Sequence, residues 1–367
     1  MNSSHELGQL LDALRNVAQE PGSRATLATL ATLVRTYGST FRRPGTRMLV
    51  HADGSVVCEL SGGCPQRDIV LRAQEVIASG VPRLVNYNAD SGLDVLIEMG
   101  CGGELEVLLD PLNPAEAAAF ANALDSCLQQ RDNAWLATVF AIDEHVAMPR
   151  RLLWSDQTIR HDGVDDASLT ALVMNFARQL PTSRKASTHR LPFAAGSVDV
   201  LIEPIQPPHA LIVVGDSAAG RALLPLSLAL GWITTWVDSE PERMAVGALL
   251  LGLLTHCATP QTLANTLRLD RHTSVIVITH NLEQDIAWLA AMRGAPLAYL
   301  GTLGSRERVG RMRQDAQLAG LHLHAPAGLD IGSETPEEIA LAVAAEIMAV
   351  LNRRTGGSLR DNDGAIH

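Results

Sequence analysis

The sequence predicts an α/β protein in two parts. An N-terminal mixed α/β domain occupies residues 1–205. A C-terminal Rossmann-like domain with a doubly wound parallel sheet occupies 206–353, and 354–367 reads as a disordered tail. Three observations carry this prediction. From residue 210 onward, strand and helix signals alternate, beginning with the apolar run LIVVG, and that alternation builds a parallel sheet covered on both faces. Before it, Gln206-Pro207-Pro208 stops any preceding element and makes a linker. The length, 367 residues with 47% hydrophobic content, gives two domains with a sizeable core at roughly 100–200 residues per domain.

The elements follow in order. Residues 5–20 form an amphipathic helix, with Leu7, Leu10, Leu11, Leu14 and Val17 on one stripe. TLATLATLVRTYGS is a strand ending at Gly38. FRRPGTR turns into the strand MLVHADGSVV, in which Asp53-Gly54 signals a hairpin. A helix runs from about Pro65 to Ala78, with proline in the first turn where its missing N–H costs nothing. RLVNYN and ELEVLLD are strands. Residues 113–205 read as helix, strand, helix and strand: PAEAAAFANALDSCLQQ, AWLATVFAI, SLTALVMNFARQL and SVDVLIEPI. In the C-terminal half, LIVVG leads through GDSAAG to the helix RALLPLSLALGW and the strand ITTWVD. A helix near Gln261–Leu267, the strand SVIVITH, the helix LEQDIAWLAAMR, the strand PLAYLGTLGS, the helix RERVGRMRQDAQLAG and a last helix from about Pro336 to Asn352 complete it.

Composition narrows the chemistry. Of 29 cationic side chains, 28 are arginine and one is lysine, Lys185. No GxxxxGK[ST] occurs, so a P-loop is excluded, and any anion is held by arginine, backbone N–H groups or a helix end. The net charge of −11 argues against bulk nucleic-acid binding. No apolar run reaches the ~18 residues that span a membrane. The N-terminus lacks a cationic leader pattern, so a cytoplasmic location is expected. Five cysteines without CxxC or HExxH spacing are expected to be reduced, and they indicate no zinc site. Cys58, Cys127 and Cys257 lie in apolar or helical runs and read as small core residues.

Four motifs stand out. Gly215-x-Ser217-x-x-Gly220 follows a strand and opens a helix, and Asp238 ends the next strand about 20 residues on. This is the context of a dinucleotide-binding turn and its ribose-binding carboxylate, with Ser217 in place of the middle glycine. It reads as an NAD(P) or other nucleotide site, or as a turn that merely packs. Arg42, Arg43 and Arg47 crowd one turn-rich segment, which reads as a solvated charged turn or as a grip on phosphate or carboxylate. Ser61-Gly62-Gly63-Cys64 and Gly100-Cys101-Gly102-Gly103 embed thiols among glycines. Cys64 falls beside a helix N-terminus, which favours thiolate, and each cysteine reads as either buried and inert or functional. His280 ends a strand, and Gly304, Ser305 and Arg306 open a helix. Of these, His280, Ser305 and Arg306 are expected, with Gly215 and Ser217, to line one crevice at the carboxyl edge of the sheet.

Taken together and in order, GSTFRRPGTRMLV, ELSGGC, GCGGELEVLLDP, VITH, YLGTLGSRERV and APAGLDIGSETPEEIA resemble the XdhC/CoxI family. These are the accessory proteins of xanthine dehydrogenase and of carbon monoxide dehydrogenase-type enzymes. The resemblance spans residues 10–352. It implies a chaperone that binds the molybdenum cofactor (molybdopterin or its dinucleotide form), supports its sulfuration and delivers it to an apo molybdenum hydroxylase. A cysteine desulfurase is the implied second partner, and a homodimer the implied assembly. On this resemblance Cys64 and Cys101 contact the molybdenum or its sulfur, Arg42, Arg43 and Arg47 suit the cofactor's phosphate, and the Rossmann-like half takes the pterin or nucleotide end. The chain departs from the family pattern at Phe41, at Pro65-Gln66 and in GDSAAG. The rival reading is an NAD(P)-dependent oxidoreductase using Asp238 and the glycine turn.

Overall fold

The computed structural model describes residues 4–19, 27–38, 40–60, 63–88, 103–156, 158–181, 185–194, 196–241 and 250–361. The chain divides into two compact units, Met1–Pro207 and Pro208–His367.

The first unit holds two five-stranded sheets. One contains β1 (Ala28–Tyr37), β2 (Arg47–His51), β3 (Val56–Val57), β4 (Arg83–Tyr87) and β5 (Glu104–Leu112), in the order β3-β2-β1-β5-β4. The other contains β6 (Ala134–Ile142), β7 (His145–Ser155), β8 (Thr158–Asp162), β9 (Ser187–Phe193) and β10 (Gly196–Ile205), in the order β8-β7-β6-β10-β9. Every pairing in both is antiparallel. Strands alternate their faces with period two, so each sheet buries both. Ala31, Leu33, Met48, Val50, Val107 and Leu109 cover α2 (Gly63–Ser79) through Ile69, Ala73 and Val76. Ala137, Val139, Leu152, Val200 and Ile202 cover α4 (Ala167–Gln179) through Leu169 and Val173. The remaining faces meet each other: Leu30, Leu49 and Leu112 pack with Leu136, Leu153 and Ile205, joined by α1 (Ser4–Ala18) and α3 (Pro114–Gln130). Asn113 opens α3 with a capping box closed by Glu116, which satisfies two otherwise unpaired helix N–H groups.

The two sheets are one design used twice. The series α1-β1-β2-β3-α2-β4-β5 and α3-β6-β7-β8-α4-β9-β10 share element order and strand order. Register aligns them residue by residue. In the first, Leu30 lies opposite Leu49 and Asp110, and Thr32 opposite Arg47 and Leu108. In the second, Leu136 lies opposite Leu153 and Glu203, and Thr138 opposite Arg151 and Leu201. The buried charges obey the same symmetry: Arg47 of the first sheet pairs with Glu203 of the second, and Arg151 of the second with Asp110 of the first. Both guanidinium groups stand over the ring of Phe120, at 5.8 and 4.6 Å from its centroid. Burial is the largest influence on Asp110 and pushes its carboxyl up, against the pull of Arg151.

Residues 113–205 therefore hold more strands than the four elements expected. β7 escapes the pattern because Pro149 and two arginines interrupt its alternation. Its register with β6 shifts between Val139 and Ala141, and such irregularities are where a strand tolerates proline.

Among the described residues the second unit holds one parallel sheet in the order β13-β12-β11-β14-β15. Its strands are β11 (Ala210–Val214), β12 (Ile233–Asp238), β13 (Leu254–Cys257), β14 (Thr273–Val277) and β15 (Tyr299–Thr302). Leu211, Val213 and Ile276 face α5 (Ala218–Ala229) and α9 (Pro336–Leu351). Ile212, Val214, Val275 and Val277 face α6 (Leu263–Thr266), α7 (Leu282–Ala291) and, through Met312, α8 (Arg306–Gln314). The doubly wound sheet expected from the alternation is present. Cys257 corrects one expectation: it is exposed, because β13 is an edge strand. Cys127 is buried and Cys58 half-buried. Residues 359–361 form a short 3-10 turn within the expected tail.

Candidate functional site

The sheet of the second unit reverses direction of winding between β11 and β14, and ligand crevices in open α/β sheets form at that point, outside the carboxyl ends of the strands. A cleft of about 360 Å³ opens there, lined by Ser217, Ala218 and Ala219 of the α5 start, Ile278 and His280 after β14, and Asp285 of α7. Leu303 and Gly304 after β15, Arg308 of α8, and Glu334, Pro336 and Ile339 at the α9 start close it. Apolar walls carrying a few convergent polar groups suit a small organic ligand.

Local sequence explains the shape. Gly215 turns the chain at φ +95°, and a Cβ there would lie 2.7 Å from the Ile278 carbonyl oxygen, so only glycine lets the two strand ends approach. Ser217 spends its hydroxyl as the N-cap of α5, accepting from Gly220 N at 2.9 Å, which closes off one of the N–H groups a phosphate would use. Asn281 caps α7, Ser305 caps α8, and Thr335 caps α9 in a box closed by Glu338. The backbone N–H groups of Thr335 and Glu334 hold the Glu338 carboxyl below its ordinary range.

Beside the cleft, Asp285 is 2% exposed and accepts from Thr279 N at 2.9 Å, from Thr279 Oγ1 at 2.6 Å, and from Arg308 Nη2 at 2.6 Å. Arg308 Nη1 reaches the His280 carbonyl at 3.4 Å, where His280 adopts a left-handed φ of +62°.

Of the crevice residues expected from sequence, Ser217 and His280 line the cleft, as does Gly304 from the same turn as Ser305. Gly215 shapes it from behind, Gly220 packs under it against Ile278, Ser305 serves as a cap, and Arg306 is exposed outside it. Asp238 is 4% exposed at the end of β12 and accepts from Glu240 N. Arg308, Asp285 and Glu334 escaped the sequence reading. The available signal was spacing: Arg308 lies three residues after the cap Ser305, and Asp285 four after the cap Asn281. Both positions overlie a helix start.

In the first unit the arginine-rich turn is more occupied than expected. Arg47 is buried against Glu203, and Arg42 donates to Glu6 at 2.7 and 3.2 Å. Arg43 is half-buried. Cys58 donates to the Glu6 carbonyl at 3.3 Å, and burial, reinforced by Glu6, pushes its thiol up to about 11. Cys64 belongs to the first turn of α2. The positions of Ser61, Gly62, Gly100, Cys101 and Gly102, and the side chain of Cys64, lie outside what the structure describes; Gly103 directly precedes β5.

Known proteins are similar along both units. A probable xanthine dehydrogenase subunit of Bacillus subtilis (strain 168) is 26% identical over 346 residues, covering 94% of this chain and 97% of its own. The molybdenum cofactor insertion chaperone PaoD of Escherichia coli (strain K12) is 24% identical over 330 residues, 88% of this chain and 83% of its own. A Bacillus halodurans crystal structure described as a xanthine dehydrogenase superposes with a TM-score of 0.77 at 22% identity, over 96% of this chain and 98% of that one, and shares the fold. A family model described as the XdhC and CoxI family matches residues 23–88, and one described as the XdhC Rossmann domain matches 211–347. One match falls in each unit, and on them the chain belongs to the XdhC/CoxI family.

Proposed function

We propose that this protein is an accessory factor of a xanthine dehydrogenase-type molybdenum hydroxylase: it binds the molybdenum cofactor, supports its sulfuration and delivers it to the apoenzyme. The observation that carries this reading is that the likeness to a molybdenum cofactor insertion chaperone runs through 88% of the chain. A carbon monoxide dehydrogenase-type client, a cysteine desulfurase as sulfur source, and a homodimer in the cytoplasm belong to the same reading.

The cleft suits the organic end of such a cargo. Ile278, Leu303, Pro336 and Ile339 offer apolar surface to a flat ring, and Ser217, His280, Arg308 and Glu334 offer polar groups around it. In this reading the metal arrives with its organic ligand. Cys64, at the start of a 17-residue helix, stands where the helix N-terminus favours thiolate. With Cys101 it is the thiol assigned to the metal or its sulfur, a soft ligand for a soft centre.

The test is direct. Protein isolated under reducing conditions from a molybdate-supplied host is assayed for oxidised-pterin fluorescence. The proposal expects pterin on the wild type and markedly less on Cys64→Ala or Cys101→Ala. A wild type without pterin contradicts the function, and undiminished pterin on both variants removes the thiols from it.

A further inference from the structure

We propose that Arg308 is the oxyanion anchor of the second unit, and that the cleft takes a phosphate ester whose organic end lies against Ile278, Leu303, Pro336 and Ile339. This rests on the proposed cofactor role for the identity of the ester and on the structure alone for the anchor.

Three observations meet at this arginine. Its guanidinium is seated: Nη2 on buried Asp285 and Nη1 on the His280 carbonyl. A guanidinium has five N–H donors, and with two so used, three remain on a side chain that lines the cleft and is 25% exposed. An arginine held in one orientation loses little freedom when it grips a phosphate through its planar fork.

The seat is also built into the backbone. Gly304 precedes α8, and a Cβ on it would come within 2.9 Å of Arg308 Cδ and 3.4 Å of Cγ. The arginine stem therefore lies across the glycine, and that position admits no larger residue without moving it. Asp285 is itself committed to Thr279 N and Oγ1, so it orients the guanidinium without being able to follow it into the cleft.

The third observation is electrostatic. The cleft collects the starts of α5, α8 and α9, each carrying partial positive charge. Asp285 offsets the charge of Arg308, and among the described residues Glu334 at the exposed rim is the other carboxylate lining the cleft. An oxyanion is therefore favoured at the Arg308 end, and N–H groups of a heterocycle at the Glu334 end.

The full-length protein is titrated calorimetrically with inorganic pyrophosphate at low ionic strength, where charge contacts are least screened. Saturable binding to the wild type is expected. Arg308→Gln should weaken it roughly ten- to hundredfold, the range of a lost charge-assisted contact, and Arg308→Lys should fall between. Gly304→Ala, which keeps the arginine in the chain but displaces its stem from that seat, should weaken binding comparably. No saturable binding to the wild type, or Arg308→Gln within twofold of it, overturns the anchor. If Arg308→Gln does not fold, unaltered binding in both Arg308→Lys and Gly304→Ala does so instead. Two sources supply such an ester, a pterin phosphate and a nucleotide, so a pterin carrying a phosphate ester and NADH form the two further arms. Binding of either that depends on Arg308 supports the anchor, and binding of both that ignores Arg308 overturns it. Arg308-dependent pyrophosphate binding on a protein that never carries pterin would defeat the cofactor role while leaving the anchor intact.

Discussion

Breaking the Arg47–Glu203 pair tests how the first unit is held together. The side chains are 6% and 0% exposed, so neither charge finds water if its partner is removed. Arg47→Met leaves the Glu203 carboxylate buried and alone, and truncating one member of such a pair costs about 3–5 kcal/mol. Replacing both, as in Arg47→Met with Glu203→Leu, removes the stranded charge along with the attraction. Its expected cost is within about 1 kcal/mol of zero, or a gain. Because the chain has two units, whole-protein unfolding is not one transition. Hydrogen exchange in peptides covering 47–51 and 196–205 reads the first unit by itself. A loss of 3–5 kcal/mol raises exchange there roughly a hundred- to several-thousandfold, since each 1.4 kcal/mol is a factor of ten. The double variant should return to within about tenfold of wild type. A single variant that stays within tenfold, or a double variant that exchanges faster than either single, refutes the account. The symmetry-related Arg151–Asp110 pair, 8% and 3% exposed, should give the same pattern.

Other predictions follow from single contacts. Gly215→Ala needs a left-handed conformation, and its Cβ would meet the backbone of Ile278 and Thr279 at 2.7 to 2.9 Å. A loss of about 2–4 kcal/mol is expected, read as increased exchange in peptides of β11 and β14, and unchanged exchange would show that the strand ends separate freely. Asp199 is buried, which alone would raise its carboxyl, but hydrogen bonds from Arg190 and Arg35 outweigh burial and lower it below its ordinary 3.8. A lowered carboxyl contributes stability that is present above 3.8 and lost as pH falls through the folded value. Asp199→Asn should therefore be less stable than wild type near neutral pH, with the gap closing in acid. A gap that stays constant down to pH 2 would contradict the assignment. Tyr299→Phe removes the hydroxyl donated to Glu346, which also accepts from Gly328 N at 2.8 Å. A cost of about 1–2 kcal/mol is expected, read as faster hydrogen exchange in peptides of β15 and α9, and no change would show that the hydroxyl is idle.

Some of this architecture was legible in the sequence because one signal dominated. In the second unit each buried strand is a short apolar run ending at glycine or a turn, and that pattern survives without tertiary help. The duplication of the first unit was equally printed, as LATL and LATV, RMLV and RLLW, VLLDPL and VLIEPI. It passed unread because the segments between these matches differ in length. Residues 88–103 separate β4 from β5, where residues 194–195 suffice between β9 and β10. The arginine turn misled for a physical reason: a cation where a turn enters a strand looks solvated until the facing sheet supplies Glu203, 156 residues away. At the cleft, glycines, caps and strand ends announce themselves locally. Arg308 and Asp285 acquire meaning only when two helices and two strands converge.

Reconstitution tests most directly whether this protein hands over a cofactor, on which the proposed role stands. Protein purified from a molybdate-supplied host is mixed with an apo xanthine dehydrogenase-type hydroxylase, and the appearance of hydroxylase activity is followed against equal amounts of free cofactor. The proposed role predicts faster and more complete activation with the loaded protein, and none with protein from a molybdate-starved host. Activation equal to that by free cofactor, or equal with loaded and unloaded protein, would contradict it.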